Sequence, residues 1–333
     1  MKTRESVFDV MKGIGIILML VGHVPSTDWL FHFIYSFHMP LFFLIAGAFA
    51  NLEESVKDTI VKGAKRLLLP VLVTMALIIA LSPLYYFIDG NFNYVVVQVL
   101  SLLWLGDAMG TKWGPVTIDS MWFLMALFWV RCLYRCIAKC CEKKQRWRDE
   151  IILVICIALS FVAISLHPIL PPIPLGLLKG FSAIQFYALG WYLRHHKLPK
   201  WVYTLFVACW IAALRFGGLD MVRYYYACYP IDVIGAVGAT MLVYLLSKAI
   251  CTHVTKIVKL FQWFGVNSLL ILCINTLDRK TCFVRAIKHT LSINVEGLSS
   301  VMFHYAIEIL LVVLIVHFSL LKTVYGTKRW KEI

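Results

Sequence analysis

Three ionisable side chains, Asp9, Lys12 and His23, lie in one apolar stretch, DVMKGIGIILMLVGH, which runs from residue 9 to residue 23. In a helix, Lys12 and His23 face nearly the same way and lie about 16 Å apart along the axis. Histidine is the usual general base near neutral pH, and an ionisable residue inside a membrane span is by default a functional-site hypothesis. We therefore expect His23 to move a proton near one membrane surface and Lys12 to lie near the other. A local ion pair between Asp9 and Lys12, and an interfacial histidine at a helix end, are the structural alternatives.

A second histidine follows in the next apolar stretch, FIYSFHMPLFFLIAGAFA, which spans 33–50. His38 lies two residues before Pro40, and a proline inside a helix frees a carbonyl one turn earlier, near Ser36. Irregular backbone at membrane depth is tolerated where it is buried in protein or lines a cavity. Two histidines near a kink therefore predict a polar pocket that holds His23 and His38, although a buried histidine is often merely hydrogen-bonded.

Membrane helices must position these residues. Of 333 residues, 61% are hydrophobic and 15% charged, whereas soluble domains are about 45–50% apolar and about 25% charged. The net charge of +14 comes from Lys and Arg between apolar segments, which indicates membrane topology, not a basic face for nucleic acid. We predict one all-α domain over 1–333, a polytopic membrane bundle of about ten helices. The predicted spans are 8–25, 31–51, 67–88, 120–138, 149–167, 175–194, 200–217, 229–249, 260–277 and 299–321, with a short interfacial or re-entrant segment near 92–106.

The distribution of positive charge predicts the orientation. With ten spans, the side that holds both termini carries 21 Lys and Arg between spans, and the opposite side carries 7. Cytoplasmic loops hold the excess of Lys and Arg, so we expect a multi-pass protein of the cell membrane with both termini cytoplasmic. The ten cysteines form no zinc motif, so we expect neither a metal nor a structural disulfide. The sequence carries no indication of the oligomeric state.

The first two stretches resemble the start of the acyltransferase 3 family. The quoted residues are FDVMKGIGIILMLVGH, with a basic residue, ten residues and a histidine, followed by YSFHMPLFFLIAGAF. The branch most similar is that of fucose 4-O-acetylase and related acetyltransferases. Weaker likenesses are KRLLLP at 65–70, SMWFLMALF at 120–128, FYALGWYL at 186–193 and FGVNSLLILCIN at 264–275. The family often has histidine near the end of the last motif, where this chain has Asn275.

The resemblance implies a membrane O-acyltransferase. It implies a bundle of about ten helices in the lipid bilayer, a cytoplasmic acetyl-CoA donor, and the hydroxyl of a cell-surface or lipid-linked sugar or glycan as acceptor. Fucose, N-acetylhexosamine and other surface sugars are all compatible with the sequence, as are acetyl and other short acyl groups. A nucleophilic serine motif, G-x-S-x-G, is absent from the sequence, which favours direct transfer, with a histidine or cysteine relay as the alternative.

Site residues follow from combining this chemistry with the sequence. His23, with His38 as a second candidate, is the expected base for the acceptor hydroxyl. Lysine and arginine suit the phosphates of the donor, although each basic residue also fits topology signalling. The expected donor-binding residues are Lys12, Lys62, Lys65 and Arg66. The expected substrate-binding residues are Trp122, Asn267 and Ser268 as oxyanion donors, and Asp232 for sugar hydroxyls. Their alternatives are a membrane-interface or sugar-stacking Trp122, a helix-to-helix hydrogen bond at 267–268, and a pair between Asp232 and Arg223.

A transporter or flippase for a glycan or small polar solute is the competing interpretation. Such proteins also have about ten spans, intramembrane charges and broken helices, and the breaks occur in corresponding halves. This chain has a proline kink in the first half, with no matching partner in the second half and no inverted repeat. The sequence therefore favours the acyltransferase.

Overall fold

A computed structural model describes residues 2–24, 27–89, 93–112, 114–142, 147–293, 295 and 297–328. The described chain is almost wholly helical, with two small antiparallel hairpins. The helices are α1 Lys2–Gly22, α2 Asp28–Tyr35, α3 His38–Ala48, α4 Val56–Gly63, α5 Leu69–Asp89, α6 Asn93–Trp104, α7 Trp122–Cys140, α8 Arg148–Leu166, α9 Leu177–His195, α10 Lys200–Phe216, α11 Ile231–His253, α12 Thr255–Val266, α13 Ser268–Thr281, α14 Phe283–Thr290, α15 Gly297–Ile315 and α16 Ser319–Tyr325. The strands are β1 Met109–Thr111, β2 Gly114–Val116, β3 Leu219–Asp220 and β4 Tyr225–Tyr226. A π-helical turn, Ala64–Leu68, joins α4 to α5.

The all-α membrane architecture is confirmed, but about ten spans are not. Within the described residues, five helical stretches are long and apolar enough to cross a membrane, or six if one bent pair counts as a span. The stretches are Asp28–Ala48, Val56–Leu84, Asp119–Cys140, Arg148–Leu166 and Ile231–His253, and the bent pair is Ile257–Val266 with Ser268–Thr281, at 65°.

The shortfall has identifiable physical causes. Every predicted span falls on a helix or a broken helix pair. However, α1 carries five charged residues, and α10 has only 17 residues, where a span needs about 20 apolar ones. The segment predicted near 92–106 is a helix of 12 residues, α6, too short to cross; its residue 92 lies outside the described part of the chain.

The predicted break in the second apolar stretch is present. Helix α2 ends at Tyr35 and α3 begins at His38, so Ser36 and Phe37 form a turn between them. Pro40 lies in the first turn of α3, where its missing N–H costs no helical hydrogen bond. The break places His38 at a helix start, buried in the protein.

Helix α1 is held against α12 by direct contact of the two backbones. A Cβ atom on Gly13 would lie 2.0 Å from the Phe261 carbonyl oxygen, and one on Gly265 would lie 1.8 Å from that of Asp9. Small residues permit such an approach between membrane helices. Gly15 meets side chains instead of backbone, because a Cβ atom there would lie 3.1 Å from side-chain atoms of α3. The α1–α12 contact fixes the helix that carries both Lys12 and His23.

Candidate active site

His23 follows the last residue of α1 and belongs to a hydrogen-bonded chain of three side chains. Its Nδ1 atom lies 2.8 Å from Asn275 Oδ1, on α13. The Asn275 amide nitrogen donates to both carboxylate oxygens of Glu308, on α15, at 3.1 and 3.2 Å. A carboxylate accepts hydrogen bonds, so the amide oxygen faces the imidazole and His23 Nδ1 is the donor. The Nε2 atom is therefore the nitrogen that can take a proton from a substrate.

Two cavities meet at His23. The first, which we call the histidine cavity, has a volume of about 340 Å³. It is lined by Met19, His23, Tyr35, His38, Met39, Gly106, Asp107, Ala108, Thr117, Asp119, Ser120, Trp122, Lys179, Val222, Leu272 and Arg279. The second has about 410 Å³, lies between α13 and α15, and shares His23 and Arg279 with the first. Each cavity is within the range of small-molecule sites, so the imidazole is accessible from two sides.

The histidine cavity brings together both predicted histidines and Trp122. His38 is 3% exposed, and its Nδ1 donates to the carbonyl oxygen of Ile34 at 2.9 Å. In His38, as in His23, the proton is therefore on Nδ1, and Nε2 is left as an acceptor. The predicted polar pocket with two histidines is present in the structure.

A buried ion pair that sequence reasoning missed lies in the wall of the same cavity. Lys179 Nζ is 2.6 Å from Asp107 Oδ1 and donates to the carbonyl oxygen of Val222 at 2.8 Å. The Tyr224 hydroxyl donates to Asp107 Oδ2 at 2.8 Å. Burial, with the Asp107 carboxylate beside it, raises the pKa of Tyr224, so this hydroxyl stays protonated at neutral pH. Lys179 had a recognisable signal, because a lysine inside an apolar span indicates a site.

A third cavity, the lysine passage, contains Lys12 and adjoins the histidine cavity. It has a volume of about 360 Å³ and mostly apolar walls. Met19, Met39 and Leu272 line both cavities, so the passage lies directly beside the space that holds His23. Lys12 lies at the passage and also forms the predicted ion pair with Asp9, at 2.6 Å.

The predicted donor cluster lies on the helix beside this passage. Lys62, Lys65 and Arg66 are exposed, and Leu67, the next residue, lines the passage. Lys62 also forms an ion pair with Glu54 in the preceding loop, and its hydrogen bond lowers the pKa of that carboxyl. The donor cluster therefore lies on the protein surface, close to the passage that contains Lys12.

The four predicted substrate-binding residues separate into two groups. Trp122 lines the histidine cavity and Ser268 lines the lysine passage. Asn267 bonds the backbone of Lys328, accepting at 3.0 Å and donating at 3.1 Å. Asp232 accepts the backbone N–H groups of residues 218 and 228, at 3.0 and 2.6 Å. The structure does not bring Asn267 or Asp232 to His23; both hold backbone in place.

A group with metal-ligand spacing lies in the cavity between α13 and α15. Asp278, His304 and Glu308 place their ligand atoms within 4.8 Å of one another. His304 pairs directly with Asp278. This spacing is one that a cation could bridge, so the expectation of a metal-free protein stays a prediction.

Comparison with known proteins extends over nearly the whole chain. The family model described as "Acyltransferase domain" matches residues 6–322. Nodulation protein NolL of Sinorhizobium fredii is 34% identical over 139 residues, 38% of this chain and 37% of that protein. Nodulation protein NolL of Mesorhizobium japonicum is 29% identical over 232 residues, 64% of this chain and 57% of that protein. The chain thus covers little more than half of these relatives at most, and no solved structure matches.

Proposed function

Because the chain belongs to the acyltransferase 3 family, we propose that it moves an acetyl group from cytoplasmic acetyl-CoA to a hydroxyl of a cell-surface or lipid-linked sugar. The proposal takes the protein as multi-pass in the cell membrane, with both termini cytoplasmic. The observation that carries it is that the cavity at Lys12 adjoins the cavity at His23, with Met19, Met39 and Leu272 in the walls of both.

The donor fits the lysine passage by its chemistry. Coenzyme A has a phosphate-bearing head and a long, uncharged arm that ends in the thioester. Lys12 at the passage, with Lys65 and Arg66 on the surface beside it, supplies positive charge for the phosphates. The mostly apolar walls suit the arm. Eleven residues of α1 separate Lys12 from His23, so the arm has to reach about 16 Å.

The acceptor fits the histidine cavity, which is polar and aromatic. Asp107 and Lys179 are partners for sugar hydroxyls, and Trp122 offers an aromatic face. His23 Nε2 takes the proton of the acceptor hydroxyl as its oxygen bonds to the thioester carbonyl carbon. The carbon–sulfur bond then breaks, and the same proton passes from Nε2 to the departing thiolate, which leaves the ester and the free thiol.

The hydrogen-bonded chain behind His23 supports its part as base. Asn275 fixes the ring orientation and the tautomer with Nε2 unprotonated, and Glu308 holds the amide of Asn275. Trp122 and Ser268 are the donors we propose for the oxyanion, because they line the two adjoining cavities.

The test is thiol release from acetyl-CoA by the purified protein in nanodiscs, with and without candidate sugars. We expect sugar-dependent thiol release and an acetylated sugar detected by mass spectrometry. His23→Ala should lower turnover about 10²–10⁴-fold, the usual contribution of positioned proton transfer. The matched control is His253→Ala, since His253 is exposed at the end of α11.

Two results would count against the proposal. Wild-type turnover in His23→Ala would show that His23 is not the general base. Transport of labelled glycan across the bilayer without any thiol release would support the transporter interpretation instead.

A further inference from the structure

A fourth cavity adjoins the histidine cavity on the side of the β3–β4 hairpin. This hairpin cavity has a volume of about 370 Å³, and its wall contains Phe31, Tyr35, Asp220, Arg223 and Tyr225. Its lining combines aromatic rings with a carboxylate and a guanidinium. Building on the proposed function, we infer that the hairpin cavity binds a second sugar unit of the acceptor, so that the preferred acceptor is an oligosaccharide.

The chemistry of the lining fits a saccharide. A sugar ring has a face of C–H groups, which packs on an aromatic ring. Its hydroxyl groups lie around the edge of the ring and pair with side chains that donate or accept two hydrogen bonds. The Tyr225 side chain is exposed, at 56%, and provides such a face. Arg223 Nε lies 3.7 Å from Asp220 Oδ2, so the arginine pairs with Asp220 and not with Asp232. The Arg223 side chain is nevertheless 79% exposed, so its remaining N–H donors reach solvent, and guanidinium groups suit paired oxygen acceptors.

The hairpin cavity lies directly beside the histidine cavity. Tyr35 lines both cavities. Val222 lines the histidine cavity, and Arg223, the next residue along the chain, lines the hairpin cavity. The hairpin and Tyr35 therefore stand between the two cavities, and in this proposal a glycan with one unit at His23 extends past Tyr35 to Arg223 and Tyr225.

The hairpin is rigidly held before any ligand binds. Asp232 accepts two backbone N–H groups that flank the hairpin, those of Gly218 and Cys228. Inside the hairpin, Asp220 Oδ1 accepts the N–H of Val222 at 2.9 Å. Lys179 secures the far side by its bond to the Val222 carbonyl oxygen. Binding groups that are already ordered lose less entropy when a ligand arrives. This anchoring gives Asp232 an indirect part in acceptor binding.

The experiment compares short and long acceptors that carry the same reactive unit. The probes are methyl fucoside against 2′-fucosyllactose, and methyl N-acetylglucosaminide against tri-N-acetylchitotriose. The variants are Arg223→Gln, Tyr225→Ala and the conservative Tyr225→Phe, each reconstituted in nanodiscs. For each we measure kcat/KM for sugar-dependent thiol release and form the ratio of long to short acceptor.

We expect wild-type protein to prefer the long probe of at least one pair. Arg223→Gln and Tyr225→Ala should each lower the long-to-short ratio about tenfold, mainly through KM, which corresponds to losing one charge-assisted or aromatic contact. Tyr225→Phe keeps the ring and should keep the ratio within about twofold. The control Phe216→Ala removes an aromatic side chain that is 74% exposed on the helix just before the hairpin, and it should not change the ratio.

Each remaining outcome overturns a defined statement. A long-to-short ratio that is unchanged in Arg223→Gln and Tyr225→Ala, with transfer intact, shows these residues to be membrane-interface side chains and rejects the second-sugar site. A ratio that falls equally in Phe216→Ala rejects it as well. Thiol release that no sugar stimulates refutes the sugar acceptor itself, and the second-sugar site with it.

Discussion

Replacing Asn275 with leucine isolates the connection between His23 and Glu308. Leucine has as many side-chain heavy atoms as asparagine, but it removes the acceptor for His23 Nδ1 and the two N–H bonds to Glu308. The imidazole then keeps its place on α1 and loses the partner that fixes its tautomer. The variant therefore perturbs the base without deleting it.

The expected effect has two parts. A neutral hydrogen bond contributes about 0.5–1.5 kcal/mol, so turnover should fall about twofold to about tenfold, far less than the fall for His23→Ala. Separately, Glu308 is only 3% exposed, and removing the amide that donates to both of its carboxylate oxygens costs about 1–3 kcal/mol of stability. Asn275→Leu should thus be slower and less thermostable.

The assay is a double-mutant cycle on kcat for sugar-dependent thiol release, measured on the folded fraction after size-exclusion chromatography. If Asn275 acts through His23, adding Asn275→Leu to His23→Ala should cause no further loss of rate. The matched control is Gln98→Leu, which also replaces a buried amide, one on α6, and should leave kcat near the wild-type value. An equal loss from Asn275→Leu with and without His23 would refute the coupling.

Two further substitutions test the passage and the buried ion pair. Leu272→Trp fills the junction between the lysine passage and the histidine cavity. It should therefore lower thiol release at least about 100-fold, which is the size expected for misplaced reactants, whereas Leu272→Ala should stay within about tenfold of wild type. Normal turnover in the Trp variant would exclude this route for the donor. Asp107→Asn leaves the Lys179 charge buried without its partner, at 6% side-chain exposure, and should destabilise the protein by about 3–5 kcal/mol. Thermal unfolding should show that combining it with Lys179→Met recovers most of that loss, and equal instability of the single and double variants would contradict the pairing argument.

Helical spacing was sufficient to predict the part of the site that lies on one helix. Lys12 and His23 share a face of α1 because eleven residues are close to three turns, and the structure has one at the passage and the other where two cavities meet. Asn275 and Glu308 are 252 and 285 residues from His23 in the sequence, and no local pattern records which helices will be neighbours. The partner of His23 therefore required the structure.

Hydropathy predicted the helices better than it predicted the spans. It identified the positions of α1 and α10, but α1 carries many charges and α10 is short. A hydropathy average over a window of sequence cannot tell whether neighbouring helices bury such a segment away from lipid. Asp232 illustrates a different limit. An acid at the outer end of an apolar helix predicts a polar partner, but the partner is backbone of the β3–β4 hairpin, which forms only when the loop folds back.

The glycine contact between α1 and α12 restricts where this chain can change the donor preference that we propose for it. Gly13 and Gly265 admit no larger residue without separating the two helices, and any separation shifts the wall that carries Lys12. Variants selected for longer or bulkier acyl donors should therefore leave that wall intact. They should accumulate on the opposite side of the lysine passage, at positions such as Phe42 and Leu124, where side chains rather than main chains determine the width.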